Sequence, residues 1–145
     1  MAMKTVDQLP PAPPERAHAG VSVLLVDDET AVRRFAARAL EREGYSVVQA
    51  SDGAEALSLV RAEGVPVEIV VSDIVMPRLN GVQLMEALAA SHPGLPVILM
   101  SGYAPAALSE LGIAAPCSIL TKPFPAERLL AEVKRCSRRG SKPAA

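Results

Sequence analysis

From Val21 onward the apolar residues follow two rhythms, short unbroken runs and longer stretches with a helical repeat, and these alternate. The run VSVLLV (21–26) is apolar except for Ser22, mostly β-branched, and does not alternate with polar residues. That pattern predicts a strand covered on both faces. In the following stretch, TAVRRFAARALERE (30–43), Val32, Phe35, Ala36, Ala39 and Leu40 recur at i, i+3, i+4, i+7 and i+8. This predicts a helix with those residues inward, closed by Gly44 at C′. SVVQA (46–50) reads as a second strand. Asp52-Gly53-Ala54-Glu55 has the spacing of a capping box for a helix reaching about Glu63. EIVVS (68–72) is a third strand ending at Asp73, and Asn80-Gly81-Val82-Gln83 opens a helix with Leu84, Met85 and Leu88 inward, ending before Pro93. VILM (97–100) is a fourth strand, a helix covers about 105–111, SIL (118–120) is a short fifth strand, and Pro125 at N1 starts the last helix.

Five strand–helix units with connections of this length predict parallel pairing, right-handed crossovers and an open sheet with helices on both faces. Ligands bind such sheets outside the carboxyl ends of the strands, where the strand order reverses. The strand ends carry Asp27 and Asp28, then Asp73, Ser101 and Lys122. Three carboxylates, a hydroxyl and an ammonium therefore meet on one edge. The consecutive Asp27, Asp28 and Glu29 repel one another, so a cation, a helix N-terminus or solvent must offset them. A cage of hard oxygens suits Mg²⁺, which in turn attracts phosphate. Ser101 and Lys122 are suited to phosphoryl oxygens, and a carboxylate can itself accept a phosphoryl group to form an acyl phosphate.

Composition narrows the setting. The chain has 145 residues, enough for one domain with a real core. No uninterrupted apolar run approaches the roughly 20 residues that span a bilayer, and the N-terminus lacks a signal-peptide layout. A cytoplasmic protein without membrane insertion is expected. Residues 1–20, with four prolines in five positions, read as a disordered leader. Residues 21–137 form the folded domain, and 138–145 a basic disordered tail. Between 21 and 133 there are eight basic and fourteen acidic side chains, whereas Lys134 onward holds five basic residues and no acid. The tail lacks an aromatic for base stacking, so no direct DNA binding is expected. Cys117 and Cys136 are 19 residues apart without a CxxC pattern, and are expected to be reduced thiols in or near the core. His18 and His92 lie away from the strand-end residues, as ordinary polar positions.

Four motifs carry a family resemblance: VDDE (26–29), SDIVMPRLNG (72–81), MSG (100–102) and TKPF (121–124). Each falls at the end of its own strand. Across residues 21–137 the chain resembles the receiver domain of two-component response regulators. The resemblance implies an α/β, (βα)₅ flavodoxin-like doubly wound sheet with strand order 2-1-3-4-5. It implies that Asp73 is the phosphoacceptor, that Asp27 and Asp28 hold Mg²⁺ with Asp73, and that the Val75 carbonyl completes the metal site. Ser101 would be the switch hydroxyl and Lys122 the phosphoryl contact. The implied function is a phosphorylation-dependent switch, charged by a sensor histidine kinase or a histidine phosphotransfer protein. It would be no enzyme beyond catalysing its own phosphorylation and slow dephosphorylation.

Two positions depart from the family pattern. Ile119 stands three residues before the lysine, where a switch aromatic is usual, and Val75 stands where a polar residue is common. Tyr103 and Ile119 are thus the candidate signalling surface, with Ile119 expected to pack rather than swing. A haloacid-dehalogenase type phosphatase would need a second Asp in place of Val75. A nucleotide-binding module would need a glycine-rich phosphate loop, and no strand is followed by one. A pseudo-receiver that binds partners without phosphorylation is the remaining alternative, and the intact acidic set and lysine oppose it. The SGY run and the DIVMPRLNG loop resemble receivers attached to hybrid sensor kinases, while the initial Met and the tail favour a free-standing regulator.

Overall fold

The computed structural model describes residues 21–62, 66–102 and 116–141, with side chains as far as Ser137. The helix expected over 105–111, and with it Tyr103, lies outside the described residues, as do the expected leader and residues 142–145. Five strands and four helices are described: β1 (Ser22–Val26), α1 (Thr30–Arg42), β2 (Ser46–Ala50), α2 (Gly53–Arg61), β3 (Ile69–Asp73), α3 (Gly81–Ser91), β4 (Val97–Ser101), β5 (Ser118–Thr121) and α4 (Ala126–Ser141). The strands pair in the order β2-β1-β3-β4-β5, all parallel. This is the doubly wound architecture expected from the alternating pattern.

The unbroken apolar runs are explained by burial on both faces of the sheet. Val23 and Leu25 of β1, with Val71, Ile98, Met100 and Leu120, pack against α1 and α4 through Leu40, Leu129 and Val133. The intervening Leu24 and Val26, with Val70 and Leu99, face Ala56, Leu84 and Leu88 of α2 and α3. Successive strand residues point to opposite faces, so two cores form from one set of strands. The α3 capping box is present, with the Asn80 side chain accepting from Gln83 N–H and the Gln83 side chain accepting from Asn80 N–H. At α2 the cap is half as expected. Asp52 accepts from Glu55 N–H at 2.8 Å, but the Glu55 carboxylate turns one residue further back, to the Ser51 N–H and hydroxyl. Gly44 has φ +100°, as its C′ role requires.

Two expectations fail. Phe35, expected inward, is 48% exposed, because α1 meets the sheet through Ala36, Ala37 and Leu40 instead. Cys117 and Cys136 are not reduced thiols but a disulfide, with Cα atoms 6.0 Å apart. The residue before β5 lies against the inner face of α4, so 19 residues of sequence close to the separation a disulfide needs. Arg135 reinforces this seam, donating to the Cys117 carbonyl and to Glu132. The helix α4 runs on to Ser141, past the expected domain edge at 137.

Candidate phosphoacceptor site

The sheet register brings the acidic residues level. Val26 pairs with Ser72, so Asp27 and Asp73 leave neighbouring strands at the same height. Asp27 prolongs the ladder, its N–H donating to the Ala50 carbonyl at 3.1 Å. Thr121 pairs with Ser101, and the next residue, Lys122, donates its N–H to the Ser101 carbonyl at 2.7 Å. A cis peptide links Lys122 to Pro123.

Carboxylate oxygens of Asp27, Asp28 and Asp73 lie within 4.8 Å of one another. Their surroundings differ. Asp27 is fully buried, Asp73 is 7% exposed, and Asp28 is at the open side. The Asp27 carboxylate accepts from Glu29 N–H at 2.9 Å and from Lys122 Nζ at 3.0 Å. Lys122 Nζ also lies 3.4 Å from Asp73 Oδ2 and 3.6 Å from Glu29 Oε1. One ammonium is therefore shared by three carboxylates. Glu29 is the N-cap residue of α1 but makes no side-chain cap bond, so helix capping does not account for the acidic run.

The charge imbalance shows in both key groups. Burial, followed by the Asp27 charge, pushes the Asp73 carboxyl above its ordinary value, with Lys122 opposing. Burial alone would depress Lys122, but its bond to Asp27 and the charges of Asp27 and Asp73 outweigh this and hold it above its ordinary value. Lys122 stays charged, and the site still carries more negative than positive charge. Three hard carboxylates converging on one point, two of them well buried, fit Mg²⁺ as a donor set.

Of the residues singled out from sequence, Asp27, Asp28, Asp73 and Lys122 come together directly. Ser101 joins them through its backbone at the buried end of β4. Val75 stands two residues past Asp73 with its side chain 61% exposed. Ile119 is partly buried against the α2–α3 core, away from the carboxylates. The sequence reading missed Arg33, which donates to the Asp27 carbonyl at 2.7 Å and to Gln49 at 3.1 Å. No local signal marks it, because β2 supplies Gln49 from across the sheet. It also missed a groove of about 470 Å³ beside the site, where Phe35 faces Phe124 and Pro123 and Lys122 forms one wall.

The family model for the response regulator receiver domain matches residues 23–134. The chain belongs to this family. As a receiver it is 44% identical over 114 residues to the sensor kinase CckA of Brucella abortus, covering 78% of this chain and 12% of that protein. It is 38% identical over 122 residues to the response regulator MprA of a Mycobacterium species, covering 83% of this chain and 52% of that protein. The chain thus spans about half, or much less, of the length of these relatives. Among solved structures, a CheY-like receiver domain protein from Methanospirillum hungatei superimposes with a TM-score of 0.73 at 29% identity, covering 84% of this receiver and 97% of that chain.

Proposed function

We propose that this receiver is a signalling switch in which Asp73 accepts a phosphoryl group from the phosphohistidine of a sensor histidine kinase or histidine phosphotransfer protein. The observation that carries the reading is the single ammonium of Lys122 held 3.0 Å from Asp27 and 3.4 Å from Asp73. A lysine so placed meets the charge that a phosphoryl group brings to Asp73.

In the transfer an Asp73 carboxylate oxygen attacks phosphorus. An O–P bond forms while the P–N bond of phosphohistidine breaks, and the electron pair leaves on the imidazole nitrogen, which takes up a proton. Lys122 neutralises a phosphoryl oxygen, and Ser101, buried one strand away, supplies a hydroxyl to another. Mg²⁺ held by Asp27, Asp28, Asp73 and the Val75 carbonyl would supply the remaining neutralising charge. Catalysis by the chain is confined to its own phosphorylation and slow dephosphorylation. Phosphorylation then alters a partner-binding surface, for which Tyr103 and its neighbours are the candidate, with Ile119 as packing. The named relatives favour both settings of such a domain, attached to a sensor kinase or to a regulator's output region.

The test is phosphotransfer from a panel of labelled, phosphorylated histidine kinases. At least one donor should lose its label to the wild type in seconds to minutes, and none to Asp73→Asn. Failure of every donor to transfer, or equal transfer to the mutant, would contradict the reading.

A further inference from the structure

The loop between β3 and α3 carries Val75 and is held at its ends by the chain itself. Ile74 N–H donates to the Met100 carbonyl, and Gly81 N–H donates back to the Ile74 carbonyl at 2.9 Å. Gly81 sits so close that a Cβ there would lie 2.2 Å from the Asp73 carbonyl oxygen. Between these ends the Val75 side chain is exposed and gives the loop no anchor. Its neighbour Met76 is buried in the α2–α3 core, and further anchors come from Arg78, whose side chain is largely exposed, and Leu79.

Arg78 has φ +69°, the left-handed region that a non-glycine residue enters only at a conformational cost. Something must hold it there. Its guanidinium pairs with Asp52, which is 5% exposed. The other oxygen of Asp52 accepts from Glu55 N–H at the start of α2, so Arg78 is tied to a fixed point. The next residue repeats the connection through the backbone. Gly53 N–H donates to the Leu79 carbonyl at 3.1 Å, and a Cβ at Gly53 would lie 2.2 Å from that oxygen. Two successive loop residues are therefore pinned to the first turn of α2, on the span that follows Val75.

We propose that Asp52 and Arg78 are a positioning pair, fixing the β3–α3 loop to the N-terminus of α2 so that the Val75 carbonyl is preset for the metal beside Asp73. The inference rests on the reading of that cluster as a Mg²⁺ site. The pair touches neither metal nor phosphoryl group and acts through the loop backbone.

Two substitutions isolate the pair from folding. Asp52→Asn keeps an N-cap acceptor but loses the charge, and Arg78→Gly loses the guanidinium while relieving the left-handed backbone. Calorimetric titration with Mg²⁺ alone should show each variant binding about tenfold more weakly than wild type, as loss of an outer support typically costs. The double variant should be no weaker than either single, because both remove one interaction. Arg78→Lys, which keeps the charge, should recover part of the loss. In the metal-free protein the Gly53 amide should exchange faster in Arg78→Gly, while the thermal midpoint does not fall. Wild-type affinity in both singles, or losses that simply add, would overturn the pairing. A wild type that binds no Mg²⁺ would overturn the metal reading first, and the positioning role with it.

Discussion

Burial and the nearby Asp27 charge both work against the ionised form of Asp73, and Lys122 offsets only part of this. Because its carboxyl is raised from an ordinary 3.8, the sign of its contribution to stability is fixed. The contribution is fully present below that value and is lost as pH rises through the higher folded value. At neutral pH the metal-free protein is therefore destabilised by this residue. Asp73→Asn should raise the metal-free thermal midpoint at pH 7. The gain should vanish in acid, below the ordinary carboxylate value. Thermal melts from pH 3 to 8 check this, and a mutant less stable at pH 7 would show that Lys122 outweighs the repulsion. Val75 gives a kinetic prediction at the same scale. Its exposed apolar side chain offers an attacking water no hydrogen bond, so Val75→Asn should shorten the lifetime of the acyl phosphate several-fold, read as decay of phosphorylated protein after donor removal. An unchanged lifetime would contradict this role for Val75.

At the level of elements, the sequence disclosed what is local and hid what is assembled. The Asn80 and Asp52 caps are local, since three-residue spacings and side-chain types determine them, and both are present. Phe35 is different. Its helical phase is compatible with either side of the inward stripe, and the small Ala36 and Ala37 let α1 approach the sheet and leave the ring outside. The disulfide is hidden for a stronger reason, because it depends on where α4 crosses the start of β5. It closes a loop of 19 residues, which by chain entropy is worth about 3 kcal/mol. Denaturant unfolding with and without a dithiol reductant should show a loss of that order, matched by the oxidised-buffer stability of Cys117→Ala/Cys136→Ala. Equal stability of reduced and oxidised protein would mean that the seam is held by packing and by Arg135 alone. At the cap of α3, Asn80→Ala should cost about 1 kcal/mol in the same assay.

For the molecule as a whole, the alternating pattern and the handedness of crossovers were enough to bring β1, β3, β4 and β5 to one edge with their ends aligned. Asp27, Asp28, Asp73, Ser101 and Lys122 were therefore legible in the sequence as residues at the strand ends. Their mutual arrangement was not, because Lys122 and Asp27 are 95 residues apart and their 3.0 Å contact depends on the register of three strand pairs. The same holds for Asp52 and Arg78: three-residue spacing marks Asp52 as a cap, whereas no local signal in the sequence pairs it with Arg78, 26 residues away. Asp73 is the group proposed to take the phosphoryl. Intact-mass measurement after incubation with acetyl phosphate and Mg²⁺ tests this directly, with the modified residue mapped by peptide fragmentation. The wild type should gain one phosphoryl group on Asp73 and Asp73→Asn should gain none. An unmodified wild type, or a mutant that is labelled at the same rate, would contradict it.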